Sequence, residues 1–118
     1  MRERSEALPR EARITKKEDF ERAKREGVWA RGKLFDLIVA PGKSERSRIG
    51  LIIPLYSHRI VDRNKVKRRA REVARRILLP SLEGTSDIIV KARREAYQAD
   101  YETVKRELVE LTRRARGE

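Results

Sequence analysis

Apolar positions along this chain follow two different periods, and the change from one to the other sets out its elements. Val66, Ala70, Val73, Ala74 and Ile77 recur at i, i+4, i+7, i+8 and i+11, the stripe of an amphipathic α-helix. Tyr56 to Arg59 leads into this helix, with Asp62 as its expected N-cap and Pro80 as its end. Upstream the period is two. Phe35, Leu37 and Val39 share one face of a strand over Leu34 to Ala40, with Leu34, Asp36 and Ile38 on the other. Ile49, Leu51 and Ile53 share a face of a strand over Arg48 to Pro54, and the Pro41–Ser44 turn between the two runs suggests an antiparallel hairpin.

Shorter signals fill in the rest. Thr15-Lys16-Lys17-Glu18 fits a capping box opening a helix to about Glu26, where Gly27 is a natural stop. Val28–Arg31 reads as a short strand turned by Gly32-Lys33, and Asp87–Lys91 as a strand of buried type. Val104, Leu108, Leu111 and Ala115 mark a last helix capped by Asp100, with Glu102–Arg106 and Glu110–Arg114 as i,i+4 pairs. Met1 to Arg13 is mostly charged, contains Pro9 and shows no period, so a flexible arm is expected there. Residues 14–118 then form a single domain: an α+β sandwich with one mixed sheet and helices against it.

Charge changes the picture most. With 31 Lys and Arg against 19 Asp and Glu, the 118 residues carry a net charge of +12. A pI near 10.7 points to nucleic acid first and an anionic membrane second. No apolar run approaches ~18 residues and the N-terminus lacks a signal-peptide core, so neither a membrane span nor secretion is expected. The absence of Cys removes disulfides and thiolate metal sites, and fits a cytoplasmic location.

The cations are concentrated. Nine of the eighteen residues from Arg59 to Arg76 are Lys or Arg, against only Asp62 and Glu72. At about 100° per residue, Asn64, Arg68, Arg71 and Arg75 fall opposite the apolar stripe, with Lys65 and Lys67 at its borders. Like charges three and four residues apart repel by a few tenths of a kcal/mol per pair. A helix needing only solubility would interleave Glu, as the last helix does, so a polyanion is the expected partner of Arg63, Lys67, Arg68, Arg71 and Arg75.

Side-chain catalysis is not expected. His58 is the sole histidine, no phosphate-cradling glycine loop is present, and no paired-carboxylate pattern for Mg²⁺ is evident. Aromatic residues are scarce, and Phe20 is the best stacking candidate for an unpaired base, since Lys16, Lys17, Arg22 and Lys24 flank it on a sparsely apolar helix.

Arg48-Ile49-Gly50-Leu51, followed by Arg63-Asn64-Lys65-Val66-Lys67-Arg68 and Arg71-Glu72, resembles the R-x-G-L strand and the R-N-x-x-K-R-x-x-R-E helix of the bacterial ribonuclease P protein subunit. Glu18-Asp19-Phe20 with Gly27, Asp87-Ile88-Ile89-Val90 and Tyr101-Glu102 are similar to further segments of that family, and the resemblance spans roughly Arg13 to Ala115. It implies an αβββαβα fold with a left-handed βαβ crossover, like that of a ribosomal S5 domain. It implies a subunit that binds the catalytic ribonuclease P RNA and assists Mg²⁺-dependent removal of the 5′ leader from precursor tRNA. The Mg²⁺ would be held mainly by the RNA, and the protein would be a monomer in a one-to-one ribonucleoprotein. Arg63, Asn64, Lys67, Arg68 and Arg71, with Arg59 and Arg75 beside them, would contact the ribozyme. Lys16, Lys17, Phe20, Lys24 and Phe35 would line the leader cleft.

Two departures stand out. Where the family shows a Ser-Lys-Lys-x-Gly-like loop, this chain reads Pro54-Leu55-Tyr56-Ser57-His58, and Lys24 stands where a second cleft aromatic is usual. The alternatives are a ribosomal-type structural RNA-binding protein and, ranked last for want of helix-turn-helix spacing, a DNA-binding module.

Overall fold

The computed structural model describes residues 8–56, 59–82 and 84–118. The apolar alternations resolve into α1 (Lys17–Glu26), β1 (Val28–Arg31), β2 (Phe35–Pro41), β3 (Arg48–Ile52), α2 (Ile60–Val73), α3 (Leu79–Ser81), β4 (Ser86–Ala92) and α4 (Tyr101–Ala115). The π-helical stretch Ala74–Leu78 joins α2 to α3, and 3-10 turns occupy Arg10–Ala12 and Arg94–Gln98. The expected α+β class and αβββαβα order are both present.

The expected β2–β3 hairpin is not. The sheet order is β1-β2-β4-β3: β2 runs antiparallel to both β1 and β4, while β3 pairs with β4 in parallel. The reason is the composition of β4. Ile88, Ile89 and Val90 are all fully buried, so β4 needs cover on both faces and neighbours on both edges, and it takes the place between β2 and β3. The chain leaves β3 through α2 and returns in β4, so the sheet is mixed.

Strand alternation divides the interior in two. Phe35, Leu37, Ile49, Ile88 and Val90 point into the larger core with Val66, Ala70, Val73 from α2 and Val104, Leu108, Leu111 from α4. Ile38, Ala40 and Ile89 point the other way, into a smaller cluster with Ile14 and Ala23. Helix α1 therefore covers one sheet face, and α2 and α4 cover the other.

Four local expectations are corrected. Leu8 and Ala12 are buried and Ile14 N–H donates to Ile49 C=O at 2.8 Å, so the supposed arm is packed from Leu8 onward; residues 1–7 lie outside the described residues. That bond holds the chain extended alongside β3, so α1 starts only after Lys16 and the Thr15 capping box does not form. Helix α2 begins at Ile60 with Arg59 in the N-cap position, leaving Asp62 in its first turn, where its charge still suits the helix dipole. Pro80 sits inside the terminal turn Leu79–Ser81. The π geometry just before it loosens the backbone ladder where the proline ring and missing N–H need room. At the start of α4, by contrast, the Asp100 carboxylate accepts from Thr103 N–H at 2.9 Å, the expected cap. Glu110 and Arg114 pair at 3.7 Å, whereas Glu102 pairs with Lys105 at 3.4 Å rather than with Arg106.

Candidate nucleic-acid interface

The apolar stripe of α2 enters the larger core, which turns the remaining positions outward. Arg59, Asn64 and Arg68 are exposed, and Arg63, Lys67, Arg71 and Arg75 are half-buried along the same helix. Their charges are mostly unmet. No ion pair among the described residues includes Arg63, Lys67, Arg68 or Arg71. Arg63 donates through Nε to Ile53 C=O at 2.7 Å, which fixes its direction without neutralising it. Burial, then the charges of Arg71 and Arg63, lowers the Lys67 pKa below the usual 10.5. Burial and two neighbouring cations both act against its charge, and no carboxylate among the described residues offsets them.

Arg75 departs from the expectation. Its guanidinium meets the Glu72 carboxylate at 2.5 Å, and Glu72 also meets Arg76 at 3.1 Å. Arg75 Nε is buried with no hydrogen-bond partner. Its charge is answered within the helix by an acid three residues back, a spacing that brings side chains together on a helix. Arg59 keeps an 81% exposed side chain, with Asp62 at 3.6 Å.

Lys67 and Arg71 also line a pocket of about 210 Å³ with Arg13, Thr15, Ile49 and Leu51. Arg13 was not a sequence candidate, because it was assigned to the arm. Its guanidinium is held by Leu8 C=O at 2.8 and 3.0 Å, which brings a further cation to the rim.

The second surface lies across β3, on α1. Lys16, Lys17, Phe20 and Lys24 fall on one stripe of that helix by their spacing, and the two N-terminal lysines are exposed. Phe20 is half-buried, packed against the smaller cluster. Its ring lies over Gly50, where a Cβ would come within 2.7 Å of Phe20 Cε1. Only glycine at that strand position lets the ring settle on the sheet. Phe35 does not belong here. It is fully buried on the opposite face, in the core beneath α2 and α4, because a one-residue step along a strand reverses the side.

What holds α1 in place was missed by sequence reasoning. Asp87, with no exposed surface, accepts from Arg22 at 2.7 Å and from Arg48 at 3.1 and 2.9 Å. Arg48 continues to Asp19 of α1 at 3.5 Å. The hydrogen bond to Asp87, together with the charges of Asp87 and Asp19, raises the Arg48 pKa above its ordinary value, against the effect of burial. The signal was in the sequence: an aspartate heading the all-apolar run Ile88–Val90 must be buried, and a buried carboxylate needs cationic partners.

The loop after β3 has no lysines, and two tyrosines pin it. Tyr56, at φ 53°, donates to Ala92 C=O at 2.9 Å, Arg94 lies 4.7 Å from its ring centre, and the Tyr97 hydroxyl donates to Pro54 C=O. Ser57 and His58 lie outside the described residues. Among the described residues no group of three or more His, Cys, Asp or Glu gathers to hold a metal ion, and no helix is long and apolar enough to cross a membrane.

Two cationic surfaces thus flank one edge strand, and the sequence that builds them matches the Ribonuclease P family over residues 8–116. The chain belongs to the ribonuclease P protein family. Its relatives include the ribonuclease P protein component of Dictyoglomus turgidum, 34% identical over 111 residues and covering 92% of each chain. That of Chloroflexus aggregans is 32% identical over 109 residues, 92% of this chain and 80% of the relative. Among solved structures, the Staphylococcus aureus RNase P protein superposes with a TM-score of 0.77 at 28% identity, over 88% of this chain and 94% of that one. The Thermotoga maritima RNase P protein gives 0.75 at 26% identity, over 86% and 96%. The family places the chain in tRNA processing, as an RNA-binding protein associated with an RNA-based endonuclease.

Proposed function

We propose that this chain is the protein subunit of ribonuclease P, that its α2 face binds the catalytic RNA, and that its α1 surface binds the 5′ leader of precursor tRNA. The observation that carries this reading is that Arg63, Lys67, Arg68 and Arg71, on one helix face, meet no carboxylate among the described residues. Guanidinium forks spaced along a rigid helix suit the phosphates of a folded RNA, where bidentate geometry adds to charge. The Phe20 ring with its neighbouring lysines suits an unpaired strand, with a base on the ring and phosphates on the amines.

The protein then acts by binding and positioning. Cleavage belongs to the RNA with its Mg²⁺, and the protein offers no carboxylate cluster among the described residues to hold that ion. The protein's contribution is to raise affinity for the precursor and to lower the Mg²⁺ the ribozyme needs, since its cations share the screening of phosphate repulsion. The protein is a monomer in a one-to-one complex on this reading.

Reconstitution with a bacterial ribonuclease P RNA and precursor tRNA tests it. The chain alone is expected to cleave nothing, and added to the RNA it should lower the Mg²⁺ requirement or the precursor concentration needed for half-maximal rate. Cleavage by the protein without RNA, or no effect on any cognate RNA, would refute the proposal.

A further inference from the structure

Trp29 is the chain's single tryptophan, and it stands 37% exposed on the edge strand β1. Its ring is not loose. The indole N–H donates to Lys24 C=O at 3.1 Å, tying it to the C-terminal end of α1. The Arg31 guanidinium lies 4.8 Å from the ring centre, within cation–π range. A large aromatic fixed in direction while still open to solvent is a stacking platform with its ordering cost already met.

Its place in the sheet connects it to Phe20. Trp29 pairs with Ile38, Ile38 with Ile89, and Ile89 with Gly50, the glycine under the Phe20 ring. The two aromatics therefore sit on the same face, at opposite ends of one row across four strands, about 14 Å apart at ~4.8 Å per strand. Helix α1 crosses above that row from Phe20, past Lys24, to Trp29. A strand that follows the helix from one ring arrives at the other.

The surroundings favour a polyanion. Arg31, which lies over the Trp29 ring, is exposed, and Arg25 and Lys33, four residues to either side of Trp29 in the chain, are exposed too. Two acids of this region are matched: Asp36 with Arg93 at 2.8 Å and Arg31 at 3.8 Å, and Glu26 with Arg22 at 3.3 Å.

We infer that Trp29 and Arg31 form a second nucleotide site for the same single-stranded RNA that meets Phe20, with a base on the exposed indole and the adjoining phosphate on the guanidinium. The inference rests on the proposal that α1 binds the precursor leader, and it lengthens that path to the edge of the sheet.

Because no other tryptophan exists, indole emission in the reconstituted ribonucleoprotein reports Trp29 alone. Precursor tRNA with a long leader should quench that emission, and mature tRNA should leave it unchanged. Shortening the leader stepwise should restore the emission at one particular nucleotide. Trp29→Phe should retain most of the leader-dependent affinity, and Trp29→Ser should lose roughly 5- to 150-fold of it, with thermal unfolding and affinity for mature tRNA held near wild type. If the leader binds, Phe20→Ala weakens it and Trp29 emission does not change, the Trp29 site is overturned and the leader proposal stands. If neither the leader nor Phe20→Ala affects affinity, both are overturned. A Trp29→Ser loss shared equally by mature tRNA would make Trp29 a structural residue only.

Discussion

Helices α2 and α4 stack on the same face of the sheet and share one core, yet they treat charge in opposite ways. On α4, Glu102 meets Lys105, and Glu110 meets both Arg113 and Arg114. On α2, the cations from Arg63 to Arg71 meet no carboxylate among the described residues, and burial, then the charges of Arg71 and Arg63, lowers the Lys67 pKa. Both helices satisfy the apolar requirement of the fold, so packing does not explain the difference. What separates them is whether the negative charge is built into the chain, as on α4, or would have to come from the RNA proposed to bind α2. The Arg22–Asp87–Arg48 cluster is the extreme of the built-in kind, with the acid sealed inside. Substitution should therefore act with opposite sign in the two settings.

The largest effect is expected where the charge is internal. Asp87→Ala leaves two arginines in a half-buried site without their acid, and should cost about 3–5 kcal/mol of stability in denaturant unfolding. Asp87→Asn with unchanged stability would show that the cluster contributes no net electrostatic support. Next comes the surface that the cluster positions. Phe20→Ala should weaken binding of leader-bearing precursor by roughly 1–3 kcal/mol in the ribonucleoprotein and spare mature tRNA; equal losses would make Phe20 a packing residue alone.

Smaller effects sharpen the contrast. Lys67→Met should weaken RNA binding while stabilising the free protein by roughly 0.2–0.5 kcal/mol for each repulsion relieved, with Arg63 and with Arg71. The folded Lys67 releases its proton more readily than the unfolded one, so wild-type stability should rise with pH from the folded pKa toward 10.5. Lys67→Met should lack that rise, and an identical pH profile would place Lys67 outside a repelling cluster. On α4 the sign reverses. The Thr103 N–H holds the Asp100 carboxyl below its usual pKa, so its stabilisation should be present near neutral pH and lost as pH falls through that lowered value. Asp100→Ala should show a slightly lower Tm at pH 7, converging with wild type in acid.

Much of this was legible in the sequence because it depends on local periods. The alternation in Phe35–Val39 and the stripe from Val66 to Ile77 hold in the structure, and with them the burial of one side of α2. The cationic face followed, since an apolar stripe on one side leaves Arg63, Arg68 and Arg71 on the other. Pairing across distance was not legible. A short polar turn after β2 reads as a hairpin, and only the two-sided burial of β4 places that strand between its neighbours. Phe35 was misassigned for the same reason: an aromatic in a strand does not announce which face it takes until the helices on each side are known. Arg75 shows a third limit, because a helical wheel places a charge on a face without saying that an acid three residues back, Glu72, already meets it.

On the proposed reading RNA neutralises the α2 cations, while on α4 the chain itself answers Lys105, Arg113 and Arg114. The salt dependence of affinity for a bacterial ribonuclease P RNA tests this directly. Arg68→Ala with Arg71→Ala should flatten the slope of log affinity against log salt by roughly 0.7–0.9 for each phosphate left without its arginine, while Arg113→Ala with Arg114→Ala should leave it unchanged. An α2 double variant with the wild-type slope, or an α4 double variant with the larger change, would contradict the account.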